Sequence, residues 1–162
     1  MGAMARYRIV PERSRVWIDA RSSLHPIRSS TDGLEGYIDL DAGAGEVSLP
    51  VSRLSSGNPL EDREMRNRVD AKRFPTIDGT VTRIEPIDGA GRYRVAGDLV
   101  FRGVSRPCED EVRVETADDG SMRIEGRSTF DVRDFGMQPP RILMLRVHPE
   151  VTVRVEIVAT PV

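Results

Sequence analysis

The sequence predicts an all-β domain of antiparallel strands with one short helix between them. Apolar residues recur at every second position along the extended runs. Gly/Asp clusters punctuate those runs at fairly regular spacing, and a single charged segment drops the alternation.

Val16, Ile18 and Ala20 alternate with Arg15, Asp19 and Arg21, and Trp17 is the one large side chain on the polar face. Val47, Leu49 and Val51 alternate with Glu46, Ser48 and Ser52 around Pro50. Val112 and Val114 alternate with Glu111, Arg113 and Glu115, and Val151, Val153, Val155 and Ile157 with Thr152, Arg154, Glu156 and Val158. An apolar face opposite a charged one is the pattern of a half-buried antiparallel strand; buried parallel strands read as continuous apolar runs. Asp32-Gly33, Asp41 to Gly45, Asp88 to Gly91 and Asp118-Asp119-Gly120 supply turn residues that reach positive φ cheaply. Many short strands joined by hairpin turns make a sandwich or a barrel.

The segment from Asn58 to Phe74 predicts the helix. Asn58 can cap it, Pro59 suits the first helical position, and Glu61 and Asp62 sit where the helix dipole favours anions. Met65 and Val69 share a face, with Leu60 and Phe74 near either end. Such a helix either connects two strands on the barrel surface or lies as a lid over one mouth.

Composition narrows the function. The 162 residues suit one domain, spanning 5–162, with Met1-Gly2-Ala3-Met4 reading as an added remnant and a native start at Met4. A net charge of -2 with interspersed acids and bases offers no field for phosphates, so nucleic acid is not an expected partner. No stretch is apolar enough to span a bilayer. No export signal is evident either, which favours the cytoplasm; removal of a signal peptide would make export the alternative. Cys108 stands alone, so neither a disulfide nor a thiolate cluster is expected. His25 and His148 each precede a proline and read as turn or surface residues, so no metal site is expected. No nucleophile elbow or zinc-binding helix appears, and no enzyme activity or catalytic residue is expected.

Four segments together resemble the YceI-like family. They are "YRIVPERSRVWIDA", in which a serine begins the second strand, "SGNPLEDREMRNRVDAKRFPTIDGTV", "YRVAGDLVFRGVSRPCEDEV", and "STFDVRDFGM" followed by "VHPEVTVRVEIVA". The order of segments is kept over almost the whole chain. Residues 24–34, "LHPIRSSTDGL", depart from the longer apolar strand of the family, being short, polar and interrupted by Pro26. Asp134-Phe135-Gly136 spells a kinase motif, but the chain lacks the Gly-rich and catalytic loops. In this setting the tripeptide reads as a turn with Gly136 at positive φ.

The resemblance implies a lipocalin-like antiparallel barrel with an internal channel. Its implied ligand is an apolar isoprenoid-like lipid, such as a prenyl quinone or a prenyl pyrophosphate, held or carried without chemistry. The expected lining is Val16, Ile18, Leu49, Val81, Val95, Leu99, Phe101, Val114, Ile124, Phe130, Val153 and Val155. An eight-isoprene chain of about 40 carbons would release ~30 kcal/mol gross at about 0.8 kcal/mol per CH₂, so partial burial suffices. A pyrophosphate head would call for a cation at the mouth, with Arg66, Arg73 and Arg102 as candidates. Glu61, Asp62, Glu64 and Asp70 intersperse the helical arginines and can pair with them. The alternative is a solidly packed barrel acting as a structural or protein-interaction module through its surface or a homodimer interface.

Overall fold

The computed structural model describes residues 6–139, 141–142 and 145–162, so the reading of residues 1–4 as a remnant lies outside the described residues. The strands run β1 (Arg6–Ile9), β2 (Arg15–Ser22), β3 (Pro26–Thr31), β4 (Glu35–Asp39) and β5 (Ala44–Pro50). After helix α1 (Pro59–Val69) come β6 (Thr76–Pro86), β7 (Arg92–Phe101), β8 (Val104–Thr116), β9 (Met122–Asp131), β10 (Arg141–Ile142) and β11 (Leu145–Pro161). All neighbours pair antiparallel, in the order β1-β4-β5-β6-β7-β8-β9-β11, and β11 returns to β1 and closes the barrel. Strand β11 is long enough to serve two partners on one edge, β2 along Val147–Glu156 and β1 along Ala159–Pro161. Strands β1 and β2 are thus two halves of one bent stave, and β3 and β4 of its neighbour. The result is a closed up-and-down barrel of eight staves, the barrel of the two architectures open to the sequence.

Local chemistry explains the bends. A 3₁₀ turn at Pro11–Arg13 separates β1 from β2, and the buried Ser14 hydroxyl donates to the Val10 carbonyl at 2.8 Å. The same oxygen accepts from the Val158 backbone N–H at 3.1 Å, which stitches the bend to β11. In the short polar segment, Pro26 opens β3, where a missing N–H is tolerated. Strand β6 bulges between Val81 and Arg83, opposite Gly97 of β7. A Cβ at Gly97 would lie 1.9 Å from the Thr80 carbonyl oxygen, so this corner of the wall admits only glycine.

The apolar faces meet inside. Ile9, Val16, Leu34, Ile38, Leu49, Met122, Ile124, Ile157 and Ala159 form the main buried cluster. Its lower end carries the β4–β5, β6–β7 and β8–β9 turns. The upper end carries the β2–β3 turn, α1, the β7–β8 hairpin and the segment after β9. There Val51, Val69, Val132 and Met137 form a second buried cluster, joined by Met65, Leu54, Ile77 and Phe101.

Helix α1 follows its expected start. The Asn58 side chain accepts from the Leu60 and Glu61 N–H groups at 3.0 and 3.3 Å. Its end falls short of Phe74, because Asp70 turns left-handed at φ 59° and caps the helix. Met65 and Val69 pack downward as their spacing predicts, but Leu60 is 48% exposed while Glu61 is buried. Strand β5 likewise stops at Pro50; Val51 begins a 3₁₀ turn and packs beneath α1.

Candidate ligand-binding lumen

Register assigns the inward face. Val16 and Ile18 of β2 lie opposite Val155 and Val153 of β11, which face Gly126 and Ser128 of β9. Leu49 of β5 faces Ile77 of β6, whose inward row continues through Gly79 to Val81. On β7 the row is Val95, Gly97, Leu99 and Phe101, and Val114 of β8 faces Ile124 of β9, three repeats of the pleat below Phe130. Every expected lining residue therefore stands on the inner face.

Their burial differs in a useful way. Val16, Leu49 and Ile124 are sealed in the main cluster, with Ile18, Val114, Val153 and Val155 half-buried against them. Phe101 joins the upper cluster. Val81, Val95, Leu99 and Phe130 lie outside the buried clusters among the described residues, half-buried although they point inward. These four residues keep apolar surface accessible on the inward faces of β6, β7 and β9. The expected lining left out further inward residues, namely Val47, Val112, Val151 and Ile157, which already stand in the apolar alternation, and Ile77 of β6.

The wall has a seam. Strands β8 and β9 pair only from Val112↔Gly126 to Thr116↔Met122, and above this point they part. The 3₁₀ turn Val132–Phe135 fills the upper part of the opening. Its buried Phe135 stands edge-on to Phe101 and Phe130, with ring centroids 5.6 and 6.4 Å away. Arg102 Nη1 donates to the Gly136 carbonyl at 2.6 Å and Arg106 Nε to the Asp134 carbonyl at 2.8 Å, clamping the turn to the β7–β8 hairpin. Gly136 has φ 72°, as its place in the Asp-Phe-Gly turn predicts. Lower in the seam, Asp110 faces inward opposite Val95, and Cys108 opposite Gly97. Ser128 stands on the inward row of β9, on the far side of the gap. Burial pushes the Asp110 carboxyl above its ordinary range and Glu109 adds to the rise, while the Ser128 hydroxyl opposes it. Burial also pushes the Cys108 thiol up, with Asp110 and Asp98 contributing.

Two spaces flank this wall. A hole of ≈ 30 Å³ lies beneath α1, lined by Ile18, Ser29, Leu54, Met65 and Arg66 among others. That is room for about one water. A groove of ≈ 340 Å³ runs over the barrel wall where β8 and β9 meet, and its rim is charged by Arg92, Glu111, Arg113, Glu125, Arg127 and Arg154. Arg92 and Glu111 pair there at 2.7 Å, which holds the Glu111 carboxyl below its usual range. Val112, Gly126 and Val155 also line the larger space, so its charged rim surrounds an apolar part.

The structure separates the three candidate head-group arginines. Arg66 reaches the hole under α1. Arg73 is exposed, 3.7 Å from Asp70 and stacked over Phe74. Arg102 is half-buried, and its Nε has no hydrogen-bond partner. The histidines are both exposed, His25 in the β2–β3 turn and His148 on β11. Among the described residues no helix is long and apolar enough to cross a membrane.

Known structures share this architecture. BcnA of Burkholderia cenocepacia superposes with a TM-score of 0.81 at 18% identity, covering 94% of this chain and 99% of its own. A polyisoprenoid binding domain from Saccharophagus degradans, implicated in plant cell wall breakdown, gives 0.77 at 14% identity over 99% and 100% of the two chains. The YceI protein of Campylobacter jejuni gives 0.67 at 17% identity over 82% and 83%. No curated protein matches the chain by sequence. The family description of the YceI-like domain fits residues 7–159, and the chain belongs to that family.

Proposed function

We propose that the barrel holds an apolar, isoprenoid-like chain in its lumen and sequesters or carries it without transforming it. The observation that carries this reading is the half-buried inward row of Val81, Val95 and Leu99, apolar surface that the protein's own side chains leave uncovered. The polyisoprenoid-binding domain from Saccharophagus degradans, with the same fold, supports the choice of ligand class. The hole of ≈ 30 Å³ under α1 requires the helix to move before a long chain can enter from above, so α1 acts as a lid. Of the candidate cations, Arg102 suits a pyrophosphate or quinone head at the upper mouth, since its buried Nε has a donor to spare. The same small hole favours the second reading, a filled barrel that works through its surface.

Leu99→Arg tests the choice. With an open lumen the arginine occupies the channel, lipid retention is lost, and the melting midpoint falls by less than about 5 °C. In a solid core the unpaired buried charge unfolds the protein instead.

A further inference from the structure

The two ends of the barrel differ in charge. The lower turns, residues 40–43, 87–91 and 117–121, hold Asp41, Asp88, Asp118 and Asp119 and no base. At the upper end the acids of α1 and its cap are engaged locally, Glu61 by His25, Asp62 by Ser56, Glu64 by Arg68 and Asp70 by Arg73. Arg21, Arg63, Lys72 and Arg146 remain, exposed and without an ion pair among the described residues.

Two leucines stand among these cations. Helix α1 bridges the upper end, from the 3.5 Å contact of Glu61 with His25 in the β2–β3 turn to Phe74, which lies against Gly103 of the β7–β8 hairpin. Met65 and Val69 face down into the barrel, while Leu60 and Arg63 are exposed on the helix. Leu24 is 78% exposed at the tip of the β2–β3 turn. That turn is held without its side chain: Ser22 Oγ accepts from the His25 N–H at 3.1 Å, and the Ser23 N–H donates to the Arg146 carbonyl at 2.9 Å. A fixed turn therefore presents a leucine to solvent, with Arg21 and Arg146 on the strands that flank it.

We propose that this end docks on an anionic lipid bilayer, with Leu24 and Leu60 entering the headgroup boundary and the four cations meeting the phosphates. Protruding apolar side chains flanked by bases match a surface that is negative at the headgroups and apolar just beneath. A folded acidic partner would offer the charge, but a leucine on a hairpin tip needs a medium that closes around it. The same bilayer repels the acidic lower turns, which sets the barrel mouth-down. The contact needs no particular content in the lumen, so it goes beyond the carrier reading and stands or falls separately.

Flotation of the full chain with lipid vesicles tests the docking. Vesicles of phosphatidylcholine with about 30 mol% phosphatidylglycerol are expected to bind it, and more weakly as salt rises. Binding to phosphatidylcholine alone is expected to be at least about tenfold weaker. Leu24→Ser with Leu60→Ser lowers binding to the anionic vesicles about tenfold, and Arg21→Gln with Arg146→Gln by at least as much. Asp41→Asn with Asp118→Asn does not lower it. Equal binding to both vesicles, or binding that either upper pair leaves unchanged, overturns the proposal. Should the leucine pair have no effect while soluble polyglutamate displaces the vesicles, the surface belongs to an acidic protein instead. A comparable loss from the lower pair overturns the mouth-down orientation.

Discussion

Single polar side chains hold this barrel at the points where its ladder bends or opens. Ser14 is buried at the bend between β1 and β2, donating to Val10 and accepting from Val158. Ser14→Ala leaves the Val158 N–H without a partner and is expected to cost about 1–3 kcal/mol in denaturant unfolding; an unchanged midpoint would show that water replaces the hydroxyl. Asp110 acts in the opposite sense. Its folded carboxyl titrates above its ordinary range, so folding opposes the charged form. The penalty is absent below the unfolded carboxyl range and grows as pH rises through the raised folded value. Asp110→Asn is therefore expected to raise the melting midpoint at pH 7 and not at pH 3. A lowered midpoint at pH 7 would mean that Ser128 fully satisfies the carboxylate. Ser128 and Cys108 share the inward side with Asp110, Glu109 is its neighbour on the outer face, and none of them supplies a countercharge.

Among the elements, the strands were legible because one face of each meets the core and the other meets water, which writes burial into a period of two. The same phase carried back from Val114 and Val112 reaches Asp110 and Cys108, yet a carboxylate in an inward row contradicts the hydrophobic rule that makes the row visible. Helix α1 was half legible. Its cap and dipole are local chemistry, whereas its buried face is set by docking. Glu61 turns under the β2–β3 turn, 3.5 Å from His25 Nε2, and Leu60 is left outside. The wedge of Phe135 could not be read at all, since nothing local reveals a seam between two distant strands. If α1 is a lid, weakening its start should speed ligand exchange. Asn58→Ala removes two capping bonds, with an expected cost of about 1 kcal/mol and a several-fold faster release of a fluorescent prenyl probe. A weakened helix with unchanged release would place the ligand's path elsewhere.

At the scale of the molecule, a long last strand closes the barrel by serving two partners, and a charged lattice covers the outside. Arg92 with Glu111, Arg94 with Glu109, and Arg123 with Glu156 pair across neighbouring strands, and Arg154 lies 4.0 Å from the Trp17 ring. Such pairs contribute little each, but they keep the outer wall polar. Barrel and sandwich share strand patterns, so closure depended on register across distant strands and on two bends that divide staves into separate runs. The family resemblance, carried by several segments in order, resolved what periodicity left open. Native mass spectrometry of the freshly purified protein, followed by organic extraction, tests the lumen most directly. A discrete added mass that extracts as a prenyl quinone, prenyl alcohol or prenyl phosphate is the predicted result. A clean protein mass that takes up no added prenyl lipid would contradict it and favour a filled barrel acting through its surface.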